Sequence, residues 1–138
     1  TCAIANNGNM PVLRVVRGLT DDGINVKNEK EPQLAYTMEE KEAKALRRLM
    51  ASAINNNDSS NAKPYNVMAA GKTSTAQTGR FDENGIEYCN AWITGYFPVN
   101  EPKYAITVLV EDGGYGNDSA APVFREIIEK IQKNIKSN

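Results

Sequence analysis

The sequence predicts an α+β fold in which an antiparallel sheet of three consecutive strands, together with a small N-terminal hairpin, packs against a C-terminal helix and one further helix. Three observations predict it. Asn84-Gly85 lies between β-prone stretches and is the strongest short-range hairpin signal in the chain. The β-branched run Ala105 to Val110 follows a turn signal, Asn100-Glu101-Pro102-Lys103. Near the C-terminus, Val123, Phe124, Ile127, Ile128, Ile131 and Ile135 recur at three- and four-residue intervals and line one face of a helix. With 138 residues and 41% hydrophobic content, one domain with a packed core is expected.

Taken in order, Thr1-Cys2-Ala3-Ile4-Ala5 reads as the tail of a helix cut by the start of the chain. Val12–Arg17 and Ile24–Val26 flank Asp21-Asp22-Gly23, which predicts the small hairpin. Thr37-Met38-Glu39-Glu40 has capping-box spacing, so a helix should start with the Thr37 hydroxyl accepting from the amide three residues on while Glu40 reaches back. Leu46, Leu49, Met50, Ala53 and Ile54 then form an apolar face expected to lie in the core, and the Asn-rich run 55–61 ends the helix. Val67-Met68-Ala69-Ala70 leads as one strand into Gly71-Lys72-Thr73-Ser74-Thr75-Ala76-Gln77. The next strand returns through Trp92 and Ile93, with Trp92 expected in the core because Ala91, Ile93 and Gly95 flank it. Gly113-Gly114-Tyr115-Gly116 breaks the chain, Asp118 or Ser119 can cap, and Pro122 fits the first turn of the last helix, which should pack on the sheet.

Composition removes several classes of function. The 16 Lys+Arg against 17 Asp+Glu leave neither a basic field to attract nucleic acid nor an acidic tail. No apolar run is long enough to span a membrane. The complete lack of histidine removes Ser-His-Asp, Cys-His and His-metal chemistry together. Cys2 and Cys89 have no metal-ligand spacing, so no zinc site or other cofactor is implied; each is expected as a buried free thiol, although sequence alone also permits a disulfide between them. Catalysis by this chain would have to run on lysine, hydroxyls, carboxylates and backbone N–H groups.

That directs attention to Lys72-Thr73-Ser74-Thr75. Gly71-Lys72-Thr73 could end a phosphate-binding loop, but that motif needs a glycine where Asn66 stands, and a helix rather than a β-tolerant run after the lysine. A polar edge strand with a solvated lysine is the bland alternative, and only context decides against it. On a strand, Thr73 and Thr75 share one face while Lys72 and Ser74 share the other, so the two threonine hydroxyls can bind one anionic group side by side.

The context is a resemblance. Lys72-Thr73-Ser74-Thr75-Ala76-Gln77, Asn90-Ala91-Trp92-Ile93-Thr94-Gly95-Tyr96-Phe97-Pro98, the strand 104–111, Ala120-Ala121-Pro122-Val123-Phe124 and the opening Ile4-Ala5-Asn6-Asn7-Gly8 with Pro11 together resemble the C-terminal part of a penicillin-binding protein transpeptidase domain. The blocks run in family order over nearly the whole chain. The resemblance implies that the three strands belong to the family's central five-stranded sheet and that the Lys72 strand edges its cleft. It implies that Thr73 and Thr75 hold the carboxylate of a D-Ala-D-Ala stem peptide or of a β-lactam, that Lys72 adds positive potential, and that the N–H of Thr75 is an oxyanion donor. Ser74 stands where the family usually has glycine, which narrows the space on the lysine side.

The family nucleophile belongs to a Ser-x-x-Lys motif and its relay hydroxyl to a Ser-x-Asn motif. Ser60-Asn61-Ala62-Lys63 and Ser59-Ser60-Asn61 match formally, but they overlap inside a polar loop and no apolar helix follows. The chain is therefore expected to be an incomplete transpeptidase domain, residues 1–138, whose catalytic partners lie N-terminal to Thr1 and which is inactive alone. The implied parent is a peptidoglycan D,D-transpeptidase acting through a serine acyl-enzyme, anchored in a bacterial membrane with this part on the extracytoplasmic face. The isolated piece is expected to self-associate through surface that the rest of the domain would cover. A serine β-lactamase, a β-lactam sensor, or a non-catalytic module of the same fold remain as alternatives.

Overall fold

The computed structural model describes residues 1–14, 18–24 and 33–136. Its elements are α1 (Cys2–Ala5), β1 (Asn9–Pro11), β2 (Leu34–Tyr36), α2 (Glu40–Asn55), β3 (Ala70–Phe81), β4 (Glu87–Phe97), β5 (Tyr104–Val110) and α3 (Ala120–Lys136). The strands form a two-stranded antiparallel sheet, β1-β2, and a three-stranded antiparallel sheet in the order β3-β4-β5. The α+β architecture is as the sequence predicts, and the opening residues are helical, as α1 over Cys2–Ala5.

The small sheet is built from other residues than expected. Val12–Arg14 and Ile24 carry no strand, and the remainder of the two expected strands, residues 15–17 and 25–26, lies outside the described residues. Asn9 pairs instead with Tyr36, and Pro11 with Leu34. The turn between is nevertheless local: the Asp22 carboxylate accepts from Thr20 Oγ1 at 2.8 Å and from the Ile24 N–H at 2.9 Å.

Helix α2 starts two residues later than the Thr37 box predicts. Both the Thr37 and Met38 N–H groups donate to the Gly8 carbonyl, at 2.9 and 3.3 Å, which ties the chain to the small sheet and delays helix formation. The capping box forms instead between Glu39, the N-cap, and Glu42, whose carboxylate accepts from the Glu39 N–H at 3.3 Å. The expected apolar face is also rotated. Ile54 is buried and Met50 half-buried, but Leu46, Leu49 and Ala53 are exposed, and Ala43, Arg47 and Ala51 take the inner positions. A small inner face lets the helix approach the sheet closely, and the Arg47 guanidinium bridges Asn7 Oδ1 at 2.7 Å and the Val99 carbonyl at 2.9 Å.

Around Asn84-Gly85 the hairpin forms as predicted. Gly85 takes φ +80°, and the Asp82 carboxylate accepts from the Asn84 and Ile86 N–H groups at 2.9 and 2.8 Å. The Ile86 N–H beside it, first among several hydrogen bonds, holds the Asp82 carboxyl below the usual aspartate range. Strand β3 begins at Ala70 rather than Val67; Ala69 turns its carbonyl to Asn55 Nδ2 at 2.7 Å.

The core lies on one face of the large sheet. Ala91, Ile93 and Phe97 from β4 and Val108 from β5 meet Ile54 of α2 and Ala121, Phe124 and Ile128 of α3. Phe124 and Ile128 are fully buried, each stabilising by roughly 1.5–3 kcal/mol. Val123 and Ile135, at the margins of the expected stripe, are exposed. Ser119 precedes α3, and its hydroxyl donates to the Gly113 carbonyl.

Gly95 is where α3 closes on the sheet: a Cβ there would stand 2.3 Å from the Ala70 carbonyl oxygen and 2.7 Å from Phe124 Cζ. Cys2 and Cys89 are free thiols, Cys2 exposed and Cys89 half-buried, so neither is the buried thiol that composition suggests. No helix among the described residues is long and apolar enough to cross a membrane.

Candidate functional site

Lys72, Thr73, Ser74 and Thr75 fall on β3, the edge strand, paired in register with Thr94, Ile93, Trp92 and Ala91. Thr73 and Thr75 therefore share the face carrying Ala91 and Ile93, on which α2 and α3 pack. Lys72 and Ser74 share the opposite face with Trp92 and Thr94. Gly71 and Gly95 pair directly, and a Cβ on Gly95 would be only 3.0 Å from Gly71 Cα, the close approach of a non-hydrogen-bonded pair. By the alternation of an antiparallel ladder, Thr73 and Thr75 also turn their N–H and C=O groups away from β4, onto the free edge.

At that edge the Lys72 ammonium donates to the Thr73 carbonyl at 2.6 Å. Thr73 is half-buried and borders a cavity of about 140 Å³ with Ile54, Asn57, Ser60, Gly71, Lys72 and Asn117 among its walls. Thr75 is exposed, and its Oγ1 accepts the Gly116 N–H at 3.2 Å. Ser74 is exposed and borders a shallow cavity of about 370 Å³ with Lys72, Ala76, Trp92 and Thr94. Trp92 is thus not a core residue. It is half-buried beside Lys72 and Ser74, because strand alternation turns it away from Ala91 and Ile93.

The glycine-rich connection after β5 comes back onto β3. Gly114 N–H donates to the Cys89 carbonyl at 3.0 Å, and Gly116 packs so tightly that a Cβ would be 2.4 Å from the Ser74 carbonyl oxygen and 2.6 Å from that of Trp92. Beside it, Asn117 Nδ2 donates to the Ser59 carbonyl at 3.0 Å, Asn117 Oδ1 accepts the Asn61 N–H at 3.1 Å, and Asn61 Nδ2 donates to the Asn117 carbonyl at 3.0 Å. Sequence reasoning missed Gly116 and Asn117 as neighbours of the motif. The glycine run signals a close approach but not the strand approached.

Ser60 and Lys63 do not form a reactive pair. Lys63 Nζ donates to the Asn55 carbonyl at 2.9 Å, and Ser60 Oγ accepts the Ala62 N–H at 3.3 Å within a turn. Among the described residues no cluster of three or more His, Cys, Asp or Glu could hold a metal ion.

Lys72, Thr73 and Thr75 thus lie on a free edge strand enclosed on one face by α2, α3 and the 113–119 loop. The profile of the penicillin binding protein transpeptidase domain matches residues 1–129, and the chain belongs to that family. The peptidoglycan D,D-transpeptidase MrdA of Haemophilus influenzae is 32% identical over 97 residues, 62% of this chain and 15% of its own length. The peptidoglycan D,D-transpeptidase PbpA of Mycolicibacterium smegmatis is 40% identical over 67 residues, 45% of this chain and 13% of its own. Penicillin-binding protein A of M. tuberculosis, solved as a ceftriaxone acyl-enzyme complex, superposes with a TM-score of 0.76 at 28% identity over 92% of this chain and 29% of that one. A peptidoglycan synthetase from Bifidobacterium adolescentis shares the fold, with a TM-score of 0.78 at 21% identity over 99% of this chain and 26% of that one. The chain spans less than a third of each.

Proposed function

We propose that this chain is the C-terminal portion of the transpeptidase domain of a peptidoglycan D,D-transpeptidase, a parent whose serine attacks the D-Ala-D-Ala amide of a stem peptide, releases the terminal D-Ala, and passes the resulting acyl group to an amine, which frees the serine. The observation that carries this reading is the placement of Thr73 and Thr75 on one face of an edge strand whose free edge is theirs, within a chain matched by the family over residues 1–129. In this reading the two hydroxyls bind the substrate or β-lactam carboxylate, and the Thr75 N–H is an oxyanion donor. The Lys72 ammonium raises the positive potential of the cleft, and Ser74 lies on its lysine side. Losing one such oxyanion donor costs about 3–4 kcal/mol of transition-state stabilisation.

The nucleophile and its base then lie in the parent's preceding chain, because Ser60 and Lys63 are separately occupied. The substrate places the parent on the extracytoplasmic face of a bacterial membrane. The exposed Leu46 and Leu49 side chains of α2 support a surface that the rest of the domain covers. A serine β-lactamase or sensor would share the same strand. Ser74 in the usual glycine position favours, as a second reading, a non-catalytic member of the fold.

Labelling with a fluorescent penicillin, followed by intact mass, tests the proposal. The complete parent should carry one stable adduct. A parent without an adduct overturns the proposal in favour of the second reading.

A further inference from the structure

We propose that Asn117 is a positioning residue for the Thr75 hydroxyl. This rests on the reading above, in which Thr75 meets the substrate carboxylate. A threonine hydroxyl has one proton and two lone pairs, and nothing in an isolated strand fixes its direction. Here the Gly116 N–H, 3.2 Å away, occupies a lone pair on the helix-covered side, which leaves the proton to donate outward to an anion. Gly116 can do this only while the 113–119 loop is held against the sheet.

Besides the Ala121 N–H of α3, which donates to the Gly116 carbonyl at 2.9 Å, three attachments hold the loop. Gly114 is pinned to the Cys89 carbonyl, and Gly116 lies against Ser74 and Trp92; both use backbone alone. The third is the Asn117 clasp onto Ser59 and Asn61, in which one side-chain amide uses both its donor and its acceptor to join segments far apart in sequence. The reciprocal Asn61 amide closes the ring onto the Asn117 carbonyl. Half-buried Asn117 also borders the cavity beside Thr73 and Lys72. The Ser59–Asn61 run, which resembles a catalytic motif in sequence, acts in this arrangement as the anchor for the clasp.

Two measurements on the complete parent test this. Gly116 amide exchange should speed up in Asn117→Ala and be partly restored in Asn117→Asp, which keeps the acceptor for the Asn61 N–H. Unchanged exchange in Asn117→Ala overturns the clasp whether or not the protein is acylated by any β-lactam. Acylation by a penicillin and by its methyl ester should then diverge. Asn117→Ala should slow the acid by on the order of three- to tenfold, the loss of one imperfectly directed hydrogen bond, and leave the ester unchanged. In a Thr75→Val background that selective loss should vanish. Equal slowing of acid and ester would mark a merely structural residue and overturn the positioning role. A parent acylated by neither compound overturns the transpeptidase reading, and with it the carboxylate role of Thr75, while the exchange result still decides the clasp.

Discussion

In the complete parent, Thr75→Val should impair acylation far more than Ser74→Gly. Valine keeps the β-branched shape and strand preference of threonine, and position 75 is exposed, so no cavity or overpacking results. The swap removes two things. One is the hydroxyl proton offered to the substrate carboxylate, a hydrogen bond to a charged group worth roughly 1.5–3 kcal/mol, or about ten- to a hundredfold in rate if made in the transition state. The other is the acceptor for the Gly116 N–H at 3.2 Å; Gly116 is buried, so its stranded donor costs about 1–3 kcal/mol of stability, a shift of several degrees in melting temperature. Ser74→Gly removes no group aimed at the carboxylate, since Ser74 lies on the Lys72 side, and weakens the strand by roughly 0.5–1 kcal/mol. The assay is the second-order acylation rate constant for a carboxylate-bearing β-lactam in each variant, with thermal melts to separate lost chemistry from lost folding. Equal rates for Thr75→Val and the unaltered parent would show that Thr75 is only a strand residue and that the carboxylate site has been placed on the wrong side chain.

Other outcomes follow from the same geometry. The isolated 138-residue chain should neither hydrolyse nor be acylated by a fluorescent penicillin, and an adduct at Ser60 by intact mass would refute the assignment of the nucleophile to preceding chain. The same piece should form dimers or larger species in sedimentation as concentration rises, because Leu49 is 67% exposed beside Leu46 on α2; a strictly monomeric species throughout would contradict this. Gly116→Ala should destabilise by about 1–3 kcal/mol in denaturant unfolding, since its Cβ would overlap two strand carbonyls, and an unchanged midpoint would show that the loop yields freely. The lowered Asp82 carboxyl means that the hairpin's carboxylate contacts are present at neutral pH and lost as pH falls through that lowered value. Amide exchange at Ile86, corrected for its intrinsic pH dependence, should lose protection only in that acid range. Asp82→Asn should abolish the transition, and its persistence would assign it to another group.

What could be read from the sequence was local. Asn84-Gly85 fixes its own turn through φ and Asp82, and the alternation of β3 separates Thr73 and Thr75 from Lys72 and Ser74 without reference to any other element. The failures came from partners distant in the chain. Gly8 claims the N–H groups of Thr37 and Met38 and moves the helix start to Glu39, which spacing around Thr37 could not reveal. The apolar stripe on α2 pointed to Leu46 and Leu49, whereas close packing selected the smaller Ala43 and Ala51 with the bridging Arg47. For Trp92 the signal was present: period two sets it opposite Ala91, Ile93 and Gly95, and its bulk and apolar neighbours drew it wrongly into the core. At the candidate site the motif strand was legible, but the Gly116 and Asn117 contacts were not, since they depend on how a loop 41 residues after Thr75 returns to it.

The most direct test of the site is a crystal structure of the complete parent acylated by a carboxylate-bearing β-lactam. The ligand carboxylate should lie within hydrogen-bond distance of the Thr73 and Thr75 hydroxyls, with the acyl carbonyl oxygen on the Thr75 N–H. An acyl group seated away from β3, or a carboxylate held by other residues with Thr75 still bonded only to Gly116, would contradict it.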